Sequence, residues 1–216
     1  MVYHALIKHT NSPYDFRYIV SVPDADAIDE WWRSVSGMKE LGLKRLGPDF
    51  YSYGGADIGV LALTLRDRLV LTKAVSLDAS QSIYVHQVRT DHVSGGCFYI
   101  RSKSSPELYW ILDGTWVRAT KEGRTRFRIA IADESDPKVM ISSDKVSISL
   151  ATDPTKYIVV GSKEQLYVGT SSSTMLFSYF KKNLLAESKL DTLGEGYVSY
   201  VKEVDEGVGE EWELVK

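Results

Sequence analysis

Cysteine, asparagine and long apolar runs are all scarce in this chain of 216 residues. Cys97 is the single cysteine, so no intrachain disulfide can form and nothing here reflects an oxidising compartment. The two asparagines, Asn11 and Asn183, begin no glycosylation sequon, because Pro13 and Leu185 stand where a hydroxyl residue is needed. No apolar run approaches bilayer length, and the stretch from Met1 to His9 lacks the unbroken apolar core of a signal peptide. The expectation is a cytoplasmic chain without membrane insertion. Catalytic signatures are missing as well: there is no HExxH, GxSxG, P-loop or CxxC, and Gly194-Glu195-Gly196 lacks the third glycine of a dinucleotide fingerprint. The histidines at 4, 9, 86 and 92 have no metal-ligand spacing on a helix. No enzyme activity, no metal and no organic cofactor is therefore expected. A net charge of −3 gives no footprint for nucleic acid.

What the sequence does have is repetition. Tyr157 to Val160 turns through Gly161-Ser162-Lys163-Glu164-Gln165 into Leu166 to Thr170, and Met175 to Phe180 follows a serine-rich loop. Tyr109 to Leu112 likewise turns at Asp113-Gly114 into Trp116 to Thr120, and Phe127 to Ile131 closes that group. A looser copy runs Val60 to Leu63, Leu69 to Thr72 and Ile83 to Val85. A further strand opens each group, at Asp49 to Tyr53, Cys97 to Arg101 and Val139 to Ser142. With Leu69, Trp116 and Leu166 equivalent, the periods are 47 and 50 residues, within the range that signals a repeat architecture. Alternation of apolar and polar positions predicts half-buried antiparallel strands with Leu61, Leu63, Trp110, Leu112, Phe127, Ile129, Ile158, Val160, Phe177 and Tyr179 inward. Four strands in each of three units predict a mostly β chain, folded as a β-trefoil over 46–185.

Around this core, Ile28, Trp31, Trp32 and Val35 fall at helical spacing, with Asp26 and Asp29 as a capping pair and Gly37 as the stop. The clustered acids at its start complement the helix dipole. Strand-like runs at Val2 to His9 and Phe16 to Val22 precede the helix, and others at Gly196 to Val204 and Glu211 to Val215 end the chain. Segments 1–45 and 186–216 are expected to meet in one small α/β subdomain, which serves as a homodimer contact or as a plug on the barrel of a monomer.

Two surface features point to ligands. Tyr109, Tyr157 and Tyr167 are the outward aromatics on which a sugar ring can stack. Arg126 and Arg128 must face out together if Phe127 and Ile129 face in, and with Arg118, Lys121 and Arg124 they form a basic stripe suited to sulfated, sialylated or phosphorylated groups. The alternative for the stripe is a solvated strand or a partner for the acidic segment Glu203 to Glu213. Cys97 with His86 and His92 is the one pattern resembling a nucleophile and base, against the reading of a small buried thiol.

From 49 to 183 the chain resembles the β-trefoil superfamily, and its lack of disulfides and of a signal peptide is most similar to the intracellular trefoil proteins of mushroom fruiting bodies. That resemblance implies a fungal source and a lectin binding a glycan or glycoprotein, or alternatively a mycocypin-type inhibitor binding a protease through loops such as Lys73 to Ser82 and Ala132 to Lys138. A protein-interaction or toxin-like defence protein is the third class. The Gln-x-Trp of ricin-type lectins is absent, the matching segments reading Ser82-Ile83-Tyr84, Arg126-Phe127-Arg128 and Leu176-Phe177-Ser178. No ricin-type galactose site carries over. A lone thiol has no intrachain partner to lose, so Cys97→Ser is expected to keep both the far-ultraviolet dichroism and ligand binding. Loss of all activity with an unchanged fold would instead make it a nucleophile.

Overall fold

The computed structural model describes residues 2–11, 17–55, 58–62, 67–74, 89–132, 134, 136–190 and 197–216. The chain forms two compact units, Met1–Asp91 and His92–Lys216. In the first, β1 (Tyr3–His9) turns Tyr3, Ala5 and Ile7 inward, and β2 (Arg17–Val22) does the same with Val20 and Val22. Helix α1 (Ala25–Val35) buries Ile28, Trp31 and Val35, as their spacing predicts. Its N-cap is Asp24, whose carboxylate accepts from the Ala27 amide at 2.9 Å, so the expected pair of Asp26 with Asp29 is displaced. Strands β3 (Lys44–Gly47), β4 (Phe50–Tyr53) and β5 (Val70–Ala74) complete a five-stranded sheet in the order β3-β4-β1-β2-β5, with β1 and β4 parallel. Trp31 stands edge-on to Tyr51 at 5.1 Å and donates to the Leu61 carbonyl at 3.3 Å, which ties the helix to the sheet.

The helix also buries a charge. Asp29 is 2% exposed and accepts from Arg89 at 2.5 Å and Arg45 at 3.1 Å, while Arg45 reaches Asp91 at 2.5 Å and Arg89 reaches the Ala25 carbonyl at 2.9 Å. Burial is the largest influence on Arg89 and works against its charge, but the Asp29 carboxylate together with Tyr3 and Asp26 outweighs it and holds that guanidinium above its ordinary pKa. Asp29 is thus more than a complement to the helix dipole.

The second unit is built from β6 (Gly96–Ser102), β7 (Tyr109–Asp113), β8 (Trp116–Thr120), β9 (Phe127–Ile131), β10 (Lys145–Leu150), β11 (Tyr157–Val160), β12 (Leu166–Gly169), β13 (Met175–Leu176), the short helix α2 (Tyr179–Lys182), β14 (Leu184–Leu190), β15 (Tyr197–Glu203) and β16 (Trp212–Val215). Seven strands, β12-β11-β10-β9-β6-β7-β8, close into a barrel where Tyr167 meets Trp116 and the Val168 amide donates to the Thr115 carbonyl at 2.8 Å. Gly114, at φ 59°, makes the tight turn between β7 and β8. The core includes Phe98, Ile100, Trp110, Val117, Phe127, Ile129, Ile148, Ile158 and Leu166. Trp110 sits among Phe127, Phe180 and Trp212 at 6.1, 6.1 and 5.6 Å between ring centres.

One pairing pattern recurs in this unit. An opening strand pairs with the closing strand of its own group: β6 with β9, β10 with β13, and Leu184 of β14 with Glu210 beside β16. The groups join through β9 with β10 and β16 with β6. Three hairpin strands then pair around a seam, β8 with β12, β8 with β15, and Gln165 with Lys202 of β15.

The mostly β architecture and the barrel agree with the sequence reading, and its boundaries do not. The break falls between Asp91 and His92, so β4 and β5, expected to belong to the first repeat, pair instead with β1 and β2. Val60 to Leu63 was expected as a strand, yet Ile58–Ala62 is a 3-10 turn; Leu63 and Ile83 to Val85 lie outside the described residues. Val139 makes a single bridge to Val93, and the strand in its place is β10, where Val146 and Ile148 alternate with serines. Tyr179 and Phe180 begin α2 and are not in a strand. The two ends share no sheet among the described residues, because β1 finds β4 in its own unit while β15 and β16 close on β8 and β6.

Replacing one partner of a buried ion group leaves the others uncompensated, so Asp29→Ala is expected to lower stability in urea unfolding by about 3–5 kcal/mol. A change below about 1 kcal/mol would mean that water screens the arginines.

Candidate functional site

The alternation of β8 puts Val117 and Ala119 inside and therefore Trp116 and Arg118 outside. At the seam, Trp116 is 37% exposed and lies 5.9 Å from the ring of Tyr167 and 6.1 Å from that of Tyr200. Arg118 donates to the Tyr200 hydroxyl at 3.2 Å, lies over its ring at 5.0 Å, and is held from the other side by Asp113. The Trp116 and Tyr167 rings border a groove of about 600 Å³ lined also by Gly161, Ser162, Lys163 and Gln165. Its volume lies in the range of small-ligand sites.

The loop 161–165 that forms one wall is fixed by its backbone. The Gly161 amide donates to Gln165 and the Glu164 amide to Gly161, both at 2.9 Å. Glu164 takes a left-handed φ of 61°, which costs a non-glycine residue about 1–2 kcal/mol, and the Glu203 amide pins its carbonyl at 2.8 Å. A Cβ on Gly161 would stand 3.3 Å from the Tyr167 ring, so glycine lets the loop close against that ring. Lys163 and Ser162 are exposed above it.

A second constellation lies on the outward face of β6 and the segment leading into β9. Arg124 sits over the rings of Tyr99 at 4.3 Å and Tyr109 at 5.6 Å, and Arg126 over Tyr99 at 5.7 Å. Arg126 donates to the Cys97 carbonyl at 3.3 Å, and Arg128 stands opposite Cys97 in the ladder. Arg101 closes one edge by pairing with Glu213 at 2.6 Å, and its hydrogen bonds to Glu213 and Tyr109 raise its pKa.

The residues singled out in the sequence therefore separate. Tyr167 is in the groove, and Tyr157 lies on the same face one cross-strand pair along, opposite Gly169 while Tyr167 is opposite Val159. Tyr109, Arg126 and Arg128 belong to the arginine face, where Arg124 covers a ring face of Tyr109. Sequence reasoning missed Trp116, taken as the equivalent of Leu69 and Leu166; those two are buried at 7% and 0%, whereas Trp116 faces out. The signal was there in Val117 and Ala119, whose period places Trp116 on the opposite face. Tyr200 carries no local signal, since only the pairing of β15 with β8 brings it to Arg118. Cys97 is half-buried, and His92 packs its ring on Phe98 and Phe177 at 6.1 and 5.8 Å; His86 lies outside the described residues. Among the described residues no three His, Cys, Asp or Glu side chains gather as metal ligands, and no helix is long and apolar enough to cross a membrane.

The chain matches no protein-family model and no curated protein sequence.

Proposed function

We propose that this is a non-enzymatic carbohydrate-binding protein whose second unit is a β-trefoil, with a sugar ring stacked on Trp116 and Tyr167. The observation that carries the reading is the exposed indole of Trp116 in a groove whose wall offers Ser162, Lys163 and Gln165. An amphipathic aromatic plane takes the apolar face of a sugar, and the amide, hydroxyl and ammonium groups of the wall take its hydroxyls.

Support for the trefoil comes from the recurring pairing of opening with closing strand and from the mutual pairing of the β8, β12 and β15 hairpins. On this reading the three repeats are β6 to β9, β10 to β13 and β14 to β16. The frame expected from the sequence is shifted by one repeat toward the C-terminus. The kinship with fungal trefoil lectins rests on this architecture and on the aromatic site. The inhibitor alternative draws on the loops 73–82 and 132–138, most of the first and part of the second lying outside the described residues.

A glycan array followed by calorimetry with the best neutral oligosaccharide tests the reading. Trp116→Ala is expected to weaken binding by about 1–3 kcal/mol at an unchanged melting temperature, the scale for truncating an aromatic anchor. Full affinity in that variant, or an array without any neutral glycan bound alongside inhibition of a protease panel, would contradict it.

A further inference from the structure

Arg124, Arg126 and Arg128 form a row of cations with no carboxylate paired to any of them among the described residues. The neighbouring basic groups are neutralised: Arg101 by Glu213, Lys103 by Glu211, Lys121 by Glu107 and Arg118 by Asp113. In a chain of net charge −3, these three exposed guanidiniums gather on one face, beside basic groups that are each paired. Their backbone is pinned on both sides, by the Thr125 amide to Trp110 at 2.9 Å and by the Ala151 amide to the Arg126 carbonyl at 3.1 Å. The Tyr99 and Tyr109 rings hold two of the guanidiniums in place. That lowers the entropy lost when a ligand orders them.

We propose that this face binds an extended sulfated polysaccharide, with successive sulfates received by Arg124, Arg126 and Arg128. A planar guanidinium meets a sulfate through two parallel N–H donors, which a flexible ammonium does not reproduce. Arg124 and Arg126 share the Tyr99 ring and Arg128 follows on β9, so the three cations line a track that meets a ligand with repeated charge along its length. A single carboxylate or phosphate would occupy one of the three. Single-stranded nucleic acid also repeats its charge, but it needs open aromatic faces for its bases, and here the arginines lie over Tyr99 and Tyr109. The face is separate from the Trp116 groove, so the two readings stand or fall independently.

The test uses the full chain and calorimetry with dextran sulfate, unsulfated dextran and poly-deoxythymidine at matched charge concentration, over a salt series. Dextran sulfate is expected to bind, more weakly as salt rises. The triple variant Arg124→Ala, Arg126→Ala, Arg128→Ala is expected to lose at least about tenfold in affinity, as is the single reversal Arg128→Glu at an exposed position. Trp116→Ala should leave dextran sulfate binding unchanged. The proposal is overturned if the arginine variants bind dextran sulfate like the wild type, if unsulfated dextran or poly-deoxythymidine binds the Trp116→Ala variant as tightly as dextran sulfate does, or if Trp116→Ala abolishes dextran sulfate binding while the arginine variants keep it.

Discussion

The second unit depends on the seam where β8, β12 and β15 pair with one another. Each strand of a hairpin carries a row of backbone donors and acceptors that must be paired or exposed. The second edge of β8 is shared, Tyr167 of β12 meeting Trp116 and Tyr200 of β15 meeting Arg118. Sharing that edge satisfies the backbone, and it also brings the rings of Tyr167 and Tyr200, from two other hairpins, within 6.1 Å of Trp116. The same contact closes the barrel and assembles the aromatic surface.

Inward and outward faces follow from that closure. Because side chains alternate, burying Val117, Phe127 and Ile129 forces Trp116, Arg126 and Arg128 to the surface. The barrel interior is aromatic and aliphatic around Trp110, where removing a large ring costs about 3–5 kcal/mol. The surface is then free to carry groups that stability does not need. The arginines rest on tyrosines, Glu164 holds a strained φ, and Gly161 admits the Tyr167 ring. None of these is required to fill the core.

Much of this was legible in the sequence, in uneven measure. Strong alternation with a clear turn, as at Tyr109 to Thr120 around Asp113-Gly114, located β7 and β8 within a residue. Helix α1 followed from Ile28, Trp31 and Val35, although Asp24 took the cap. The pattern failed where serine or charge diluted it: β10 reads Lys-Val-Ser-Ile-Ser-Leu and β14 reads Leu-Leu-Ala-Glu-Ser-Lys-Leu, and neither was foreseen. With β14 unrecognised, β4 and β5 were grouped with strands of the second unit although they lie in another sheet, since half-buried strands of different sheets look alike locally. Of the groove lining, Tyr167 reads as outward because it sits on a well-patterned strand, and Tyr157 shares its face without lining the groove. Trp116 was misplaced by a one-residue register, and the ion group of Asp29, Arg45 and Arg89 joins residues up to 60 apart and leaves no local trace.

If the seam is what closes the unit and shapes the site, its cross-hairpin hydrogen bonds must be among the most persistent in residues 92–216. Amide hydrogen exchange resolves this at two positions, Val168, which donates to Thr115 at 2.8 Å, and Glu203, which donates to Glu164 at 2.8 Å. Both are predicted to exchange as slowly as the β9–β10 ladder, opening only with the whole unit. Exchange of both at the rate of the exposed loop amides, with the β9–β10 ladder still protected, would contradict the account.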